Sequence, residues 1–161
     1  MKTWGIFAAI ALGAYVFATI SEADRDSAGA IVDEGRIDAF QIRVGDCFND
    51  TSTMSSDEEV ETLNVPGVPC SEPHDNEVYA VFDLSITNFP AGDAMADLAF
   101  NSCLERFEPF VGKDYASSSL DILPLYPTLD SWKQRNDREV ICGVFDMNLA
   151  KLQGSVQGSG L

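Results

Sequence analysis

The residues best suited to chemistry crowd into one stretch, Val68 to Ala80, VPCSEPHDNEVYA, where the chain's single histidine, His74, stands beside Cys70, Glu72, Asp75 and Glu77. An imidazole among carboxylates is the raw material of general acid–base catalysis or of a metal centre. A zinc site needs three or four ligands at spacings set by a helix or turn, and with no second histidine the stretch does not supply them. A disulfide would also withdraw Cys70, so no metal is expected here. Hydrolysis would need a nucleophile for His74 to activate. Ser71 lies three residues away, and no Gly-x-Ser-x-Gly elbow occurs in the chain. The simpler reading is a hydrogen-bonded turn: Pro73 fixes the backbone, Glu72 and Asp75 accept from turn amides, and His74 donates to a neighbouring carbonyl. Glu72, His74, Asp75 and Glu77 are then candidates for a binding surface. The alternative is a hydrolase or wall-modifying enzyme using His74 with Glu72 or Asp75.

A second set of candidates lies in YPTLDSW, where Tyr126 and Trp132 flank a loop. Aromatic side chains with polar tips anchor protein or glycan partners, and the competing reading is packing under a sheet edge. The charge balance limits those partners. With 26 acidic residues against 10 Lys and Arg, a formal charge of -16 repels phosphate backbones, so nucleic acid is excluded. The acidic run Asp57, Glu58, Glu59 and Glu61 reads as a solvated loop, because the Asp-x-Asp-x-Asp-Gly pattern of a calcium loop is missing. No cofactor motif is visible, and no cofactor is expected.

The elements that must position these residues follow from the hydrophobic pattern. Residues 1–23 carry Lys2, an uncharged apolar run from Trp4 to Ile20, and small or polar residues after it. This reads as a membrane anchor in preference to a signal cut after Ala23, with the N-terminus in the cytoplasm and the rest outside. Residues 24–35 mix charge with Ser, Ala and Gly and read as a flexible spacer. The domain proper spans 36–156, and 157–161 read as a flexible tail.

Within the domain, alternation predicts a strand over 37–49 that ends in a turn at Gly45 and Asp46. Asn76 to Leu84 is β-branched, aromatic and nearly all apolar, which predicts a central strand. Between 89 and 112 the period changes: Ala96, Ala99, Phe100, Cys103, Phe107 and Phe110 form a helical stripe, with Asp93 able to start the helix and Gly112 to end it. Residues 119–128 predict an edge strand broken by Pro124, and 138–147 a strand with Val140, Cys142 and Val144 on one face. The fold class is α+β, an antiparallel sheet with one long helix packed on one face.

Cys47, Cys70, Cys103 and Cys142 include no Cys-x-x-Cys pair, which predicts two structural disulfides in an oxidising compartment. Three connectivities are open to four cysteines. The layout favours Cys103 of the helix with Cys142 of a facing strand, and Cys47 with Cys70.

Taken together, VGDCFND, VPCSEPHDNEVYAVFDL, the helix around Cys103, YPTLDSW and NDREVICGVF resemble the bacterial septum formation domain family over about Val44 to Gly154. The resemblance implies an exported or membrane-anchored envelope protein with a link to cell division. It also implies division proteins, envelope proteins or cell-wall material as partners, and it brings no assigned catalytic residue. This chain differs in its acidic balance and in Asn136, which stands where a Gly-Asp-Arg turn is often seen.

Overall fold

The structure, a computed structural model, describes residues 21–50, 64–91 and 93–161. The apolar run Trp4 to Ile20 of the expected membrane segment and the acidic run Asp57 to Glu61 lie outside the described residues. No helix among the described residues is long and apolar enough to cross a membrane.

Six strands make one antiparallel sheet, and α1, Ala94–Val111, packs across one of its faces. The strands are β3 (Gly35–Asp38), β4 (Cys47–Phe48), β5 (Asn64–Val68), β6 (Asn76–Asp83), β7 (Leu120–Leu125) and β8 (Glu139–Asp146), in the spatial order β3-β5-β4-β6-β8-β7. Ahead of them β1 (Asp24–Arg25) and β2 (Ile31–Asp33) form a separate hairpin. The α+β class, the long helix and the central place of β6 are as the pattern predicts.

Side-chain alternation divides the core in two. On β8, Val140, Cys142 and Val144 face α1, while Ile141 faces a second cluster with Ile31, Ile37, Ile42, Phe48, Val65 and Val78. The buried stripe of α1 is Met95, Ala99, Cys103, Phe107 and Val111, a strict four-residue repeat. Phe100 and Phe110 flank it half-buried. Asp93 sits at the helix start without a side-chain cap, and Gly112 ends it in the left-handed conformation at φ 82°. Both disulfides form as the layout favours. Cys103–Cys142 ties α1 to β8 at a Cα separation of 5.5 Å, and Cys47–Cys70 ties β4 to the turn after β5 at 5.2 Å.

Four local expectations are corrected. The strand predicted over 37–49 is two strands, because the Asp38 carboxylate accepts from the Phe40 amide and turns the chain into a 3-10 helix at Ala39–Gln41. Strand β5 went unpredicted because Pro66 and Gly67 argue against a strand interior. Gly67 is there for space, since a Cβ would collide with the buried Ile37 side chain. Residues 24–35 are not a structureless spacer but the β1–β2 hairpin. Its turn is organised by the Asp26 carboxylate, which accepts from the amides of Ala28 and Ala30, and by Gly29 at φ 93°. The tail is tied down too. The amides of Gly158 and Gly160 donate to the Phe110 and Val111 carbonyls at 2.8 and 2.9 Å, satisfying the open end of α1.

The β7 edge is closed chemically. The register leaves the amides of Leu120 and Ile122 pointing away from β8; Ser118 Oγ accepts the first and the Asp121 carboxylate the second. Pro124 has no amide to offer, so this edge presents little to another strand.

Candidate functional site

The stretch around His74 is mostly interior. His74 is fully buried, and its backbone pairs with Leu152 through His74 N–H to the Leu152 carbonyl (3.2 Å) and Leu152 N–H to the His74 carbonyl (2.8 Å). Its ring Nδ1 lies 2.8 Å from the Glu72 carbonyl, which can only accept, so Nδ1 carries the proton. Nε2 is buried without a hydrogen-bond partner. Glu77, 1% exposed, accepts from Ser155 Oγ and from the Val156 amide, both at 2.6 Å. These two residues stitch the C-terminal segment to β6.

Asp75 is half-buried and pairs with Lys151 Nζ at 2.8 Å. Burial pulls its carboxyl up, but the Lys151 ammonium and the Asp50 amide outweigh that and leave it below its ordinary value. Glu72 is exposed. Of the four candidates in the turn, only Glu72 and part of Asp75 are presented to solvent, so His74 and Glu77 are corrected from surface to interior.

Trp132 is likewise an interior residue. It is 6% exposed, meets Phe89 edge-on at 5.6 Å and carries the Arg138 guanidinium 3.4 Å over its ring. Short helix α2, Leu129–Gln134, holds it in place through a capping box between Thr128 and Ser131. Tyr126 is half-buried. His74, Glu77 and Trp132 are all buried, so these three side chains present no surface to a partner.

Cys47, Cys70 and Glu77 bring three possible metal donors within 4.8 Å of one another. The two sulfurs are bonded to each other and the carboxylate oxygens are engaged by Ser155 and Val156, so the set does not fit a metal ion.

What the turn does offer is one wall of a groove. A concavity of about 420 Å³ lies between the hairpin, which contributes Val32, Asp33 and Glu34, and the segment Val68, Pro69, Glu72 and Pro73, with Asn49 beside them. The hairpin is held there by a two-pronged ion pair, Arg25 to Asp46 at 2.6 and 2.7 Å. The hydrogen bond to Asp46 holds the Arg25 guanidinium above its ordinary pKa against its partial burial. Sequence reasoning missed Val32, Asp33 and Glu34. The usable signal was the Asp26 to Gly29 turn followed by Ile31, Gly35 and Ile37, a hairpin pattern masked by its charge.

These features define a small α+β domain stapled by two disulfides, with its most reactive residue types turned inward. The sequence model of the septum formation family matches residues 44–159, and the chain belongs to that family. No curated protein and no solved structure matches it significantly. The hairpin lies outside the matched residues, so the groove joins the family domain to a segment that precedes it.

Proposed function

We propose that this chain is a non-enzymatic binding module that works on the outer side of the bacterial membrane, tethered there by its N-terminal segment, in septum formation or cell-wall assembly. Family membership supports the septal setting. The pairing of all four cysteines supports an oxidising, extracytoplasmic location. The observation that carries the binding reading is the engagement of His74 and Glu77: both are buried, and both hold the C-terminal segment in place.

The rival reading, an envelope hydrolase using His74 with Glu72 or Asp75, draws on the unpartnered Nε2. That nitrogen has no contact with solvent, so a substrate could reach it only if the turn opened. Crosslinking the tagged full-length protein in dividing cells tests the proposal. Capture of identified division or wall-synthesis proteins supports it, and the absence of any specific capture overturns it. Turnover of purified wall fragments that is lost in a folded His74→Gln variant would establish the rival instead.

A further inference from the structure

We infer that the groove between the hairpin and the Val68–Pro73 turn receives an extended segment of a partner polypeptide that carries Lys or Arg beside apolar residues. The inference rests on the binding reading above and narrows it to one surface and one chemistry.

Three properties of the groove point to this occupant. The first is its wall composition. Val32 is 49% exposed although it is a large apolar residue, and with Pro69 and Pro73 it sets apolar patches into a groove whose exposed lining is otherwise mainly polar. The second is unused charge. Asp33, Glu34 and Glu72 form no hydrogen bond or ion pair through their side chains among the described residues, although the acids around them are engaged: Asp46 by Arg25, Asp75 by Lys151, Asp50 by Asn76 and Glu77 by Ser155. The cation bonded beside the groove, Lys151, is held by Asn49 Oδ1 at 2.7 Å and by Asp75. Apolar patches beside three uncompensated carboxylates are complementary to a cationic, partly apolar ligand.

The third property is rigidity. One wall is fixed by the Arg25–Asp46 pair and by Ile31, which is 7% exposed in the second core cluster. The opposite wall is fixed by the Cys47–Cys70 disulfide and by the His74–Leu152 bridge. A preformed groove avoids the ordering cost that a mobile one would add to binding. The volume of about 420 Å³ suits a few side chains, not a whole folded surface. A polypeptide fits better than a glycan, because no aromatic ring among the described residues lines the groove to stack on a sugar face. Anionic partners are disfavoured by the same carboxylates.

The test is fluorescence anisotropy on the full chain in a neutral detergent, with a labelled octapeptide of alternating lysine and valine as probe. Two triple variants remove the same charge: Asp33→Asn, Glu34→Gln and Glu72→Gln at the groove, and Asp97→Asn, Glu105→Gln and Glu108→Gln on α1. All six residues are exposed, so both variants should fold, as thermal melts will show. The expected result is binding that the groove variant weakens about tenfold and the α1 variant by less than about twofold. Equal weakening by both variants would mean attraction to net charge alone and would overturn the inference. So would the absence of binding, or binding of peptide-free glycan strands in its place. Crosslinking with the groove variant separates the two levels. If capture of a division or wall-synthesis protein persists while the peptide result fails, the groove falls and the binding reading stands; if the unaltered chain captures nothing, the binding reading itself falls.

Discussion

His74 is joined to Glu72 through its ring and to Leu152 through its backbone, so its loss should appear as lost folding energy. His74→Ala is expected to cost about 2–5 kcal/mol in urea denaturation, the range for deleting a large buried side chain. A variant of unchanged stability would contradict the structural role. A second residue-scale expectation concerns Glu139, which sits directly across from Asp83 in the β6–β8 pairing. Burial first, then the charges of Asp83 and Asp137, raise its carboxyl above the ordinary value of 4.5. The folded state therefore binds this proton more tightly than the unfolded chain, and the group erodes stability as pH rises through about 4.5 and above. Glu139→Gln should stabilise the protein at pH 7 by about 0.2–1 kcal/mol, the range for relieving a facing like-charge pair, and flatten that part of the pH profile. Asn136 shows what was legible at this scale. It adopts φ 54°, the left-handed region that glycine and asparagine tolerate best, which gives a physical reason for finding it where the family resemblance leads one to expect Gly. The burial of His74, by contrast, was not legible, because it depends on an isolated bridge to Leu152, far along the chain.

Among the elements, long periodic segments were readable and short ones were not. The apolar stripe of α1 and the continuous run of β6 carry their own signal. Strands β4 and β5 exist because neighbours supply their hydrogen bonds, and the hairpin β1–β2 because Asp46, buried on another segment, receives Arg25. That dependence gives a prediction: Arg25→Met should destabilise the domain by about 1.5–3 kcal/mol, the range for hydrogen bonds to charged groups, since the pair is part-buried and the Arg43 amide still donates to Asp46. Amide hydrogen exchange should quicken first in residues 24–33, and unchanged exchange there would contradict the account of the hairpin. At the other edge, Tyr115 donates to the Asp121 carboxylate that also covers the Ile122 amide. This hydrogen bond, together with burial, pushes the Tyr115 phenol from 10.0 up to about 12. Because the folded value is raised, the contribution is complete below pH 10.0 and is lost as pH rises to about 12. Tyr115→Phe should remove that component from an alkaline unfolding titration, and a titration unchanged by the substitution would count against it.

For the whole molecule, the motifs that carry the family resemblance turn out to be those that hold the fold together. Cys70 is bridged to Cys47 and Cys142 to Cys103, His74 and Glu77 anchor the C-terminal segment, Thr128 and Ser131 cap α2, and Arg138 covers Trp132. The resemblance therefore made the domain readable, while the groove proposed to meet a partner lies partly in residues outside it. The two disulfides, closing sequence separations of 23 and 39 residues, each add roughly 3–4 kcal/mol on the chain-entropy model, which is consistent with an extracytoplasmic location. The claim that joins these scales is that the protein acts by binding an envelope partner through the groove. It is tested most directly by a photoreactive amino acid introduced at Val32, compared with one at Glu105 on α1, in dividing cells. The account predicts a covalent adduct with a division or wall-synthesis protein from position 32 and none from position 105. The same adducts from both positions, or none from position 32, would contradict it.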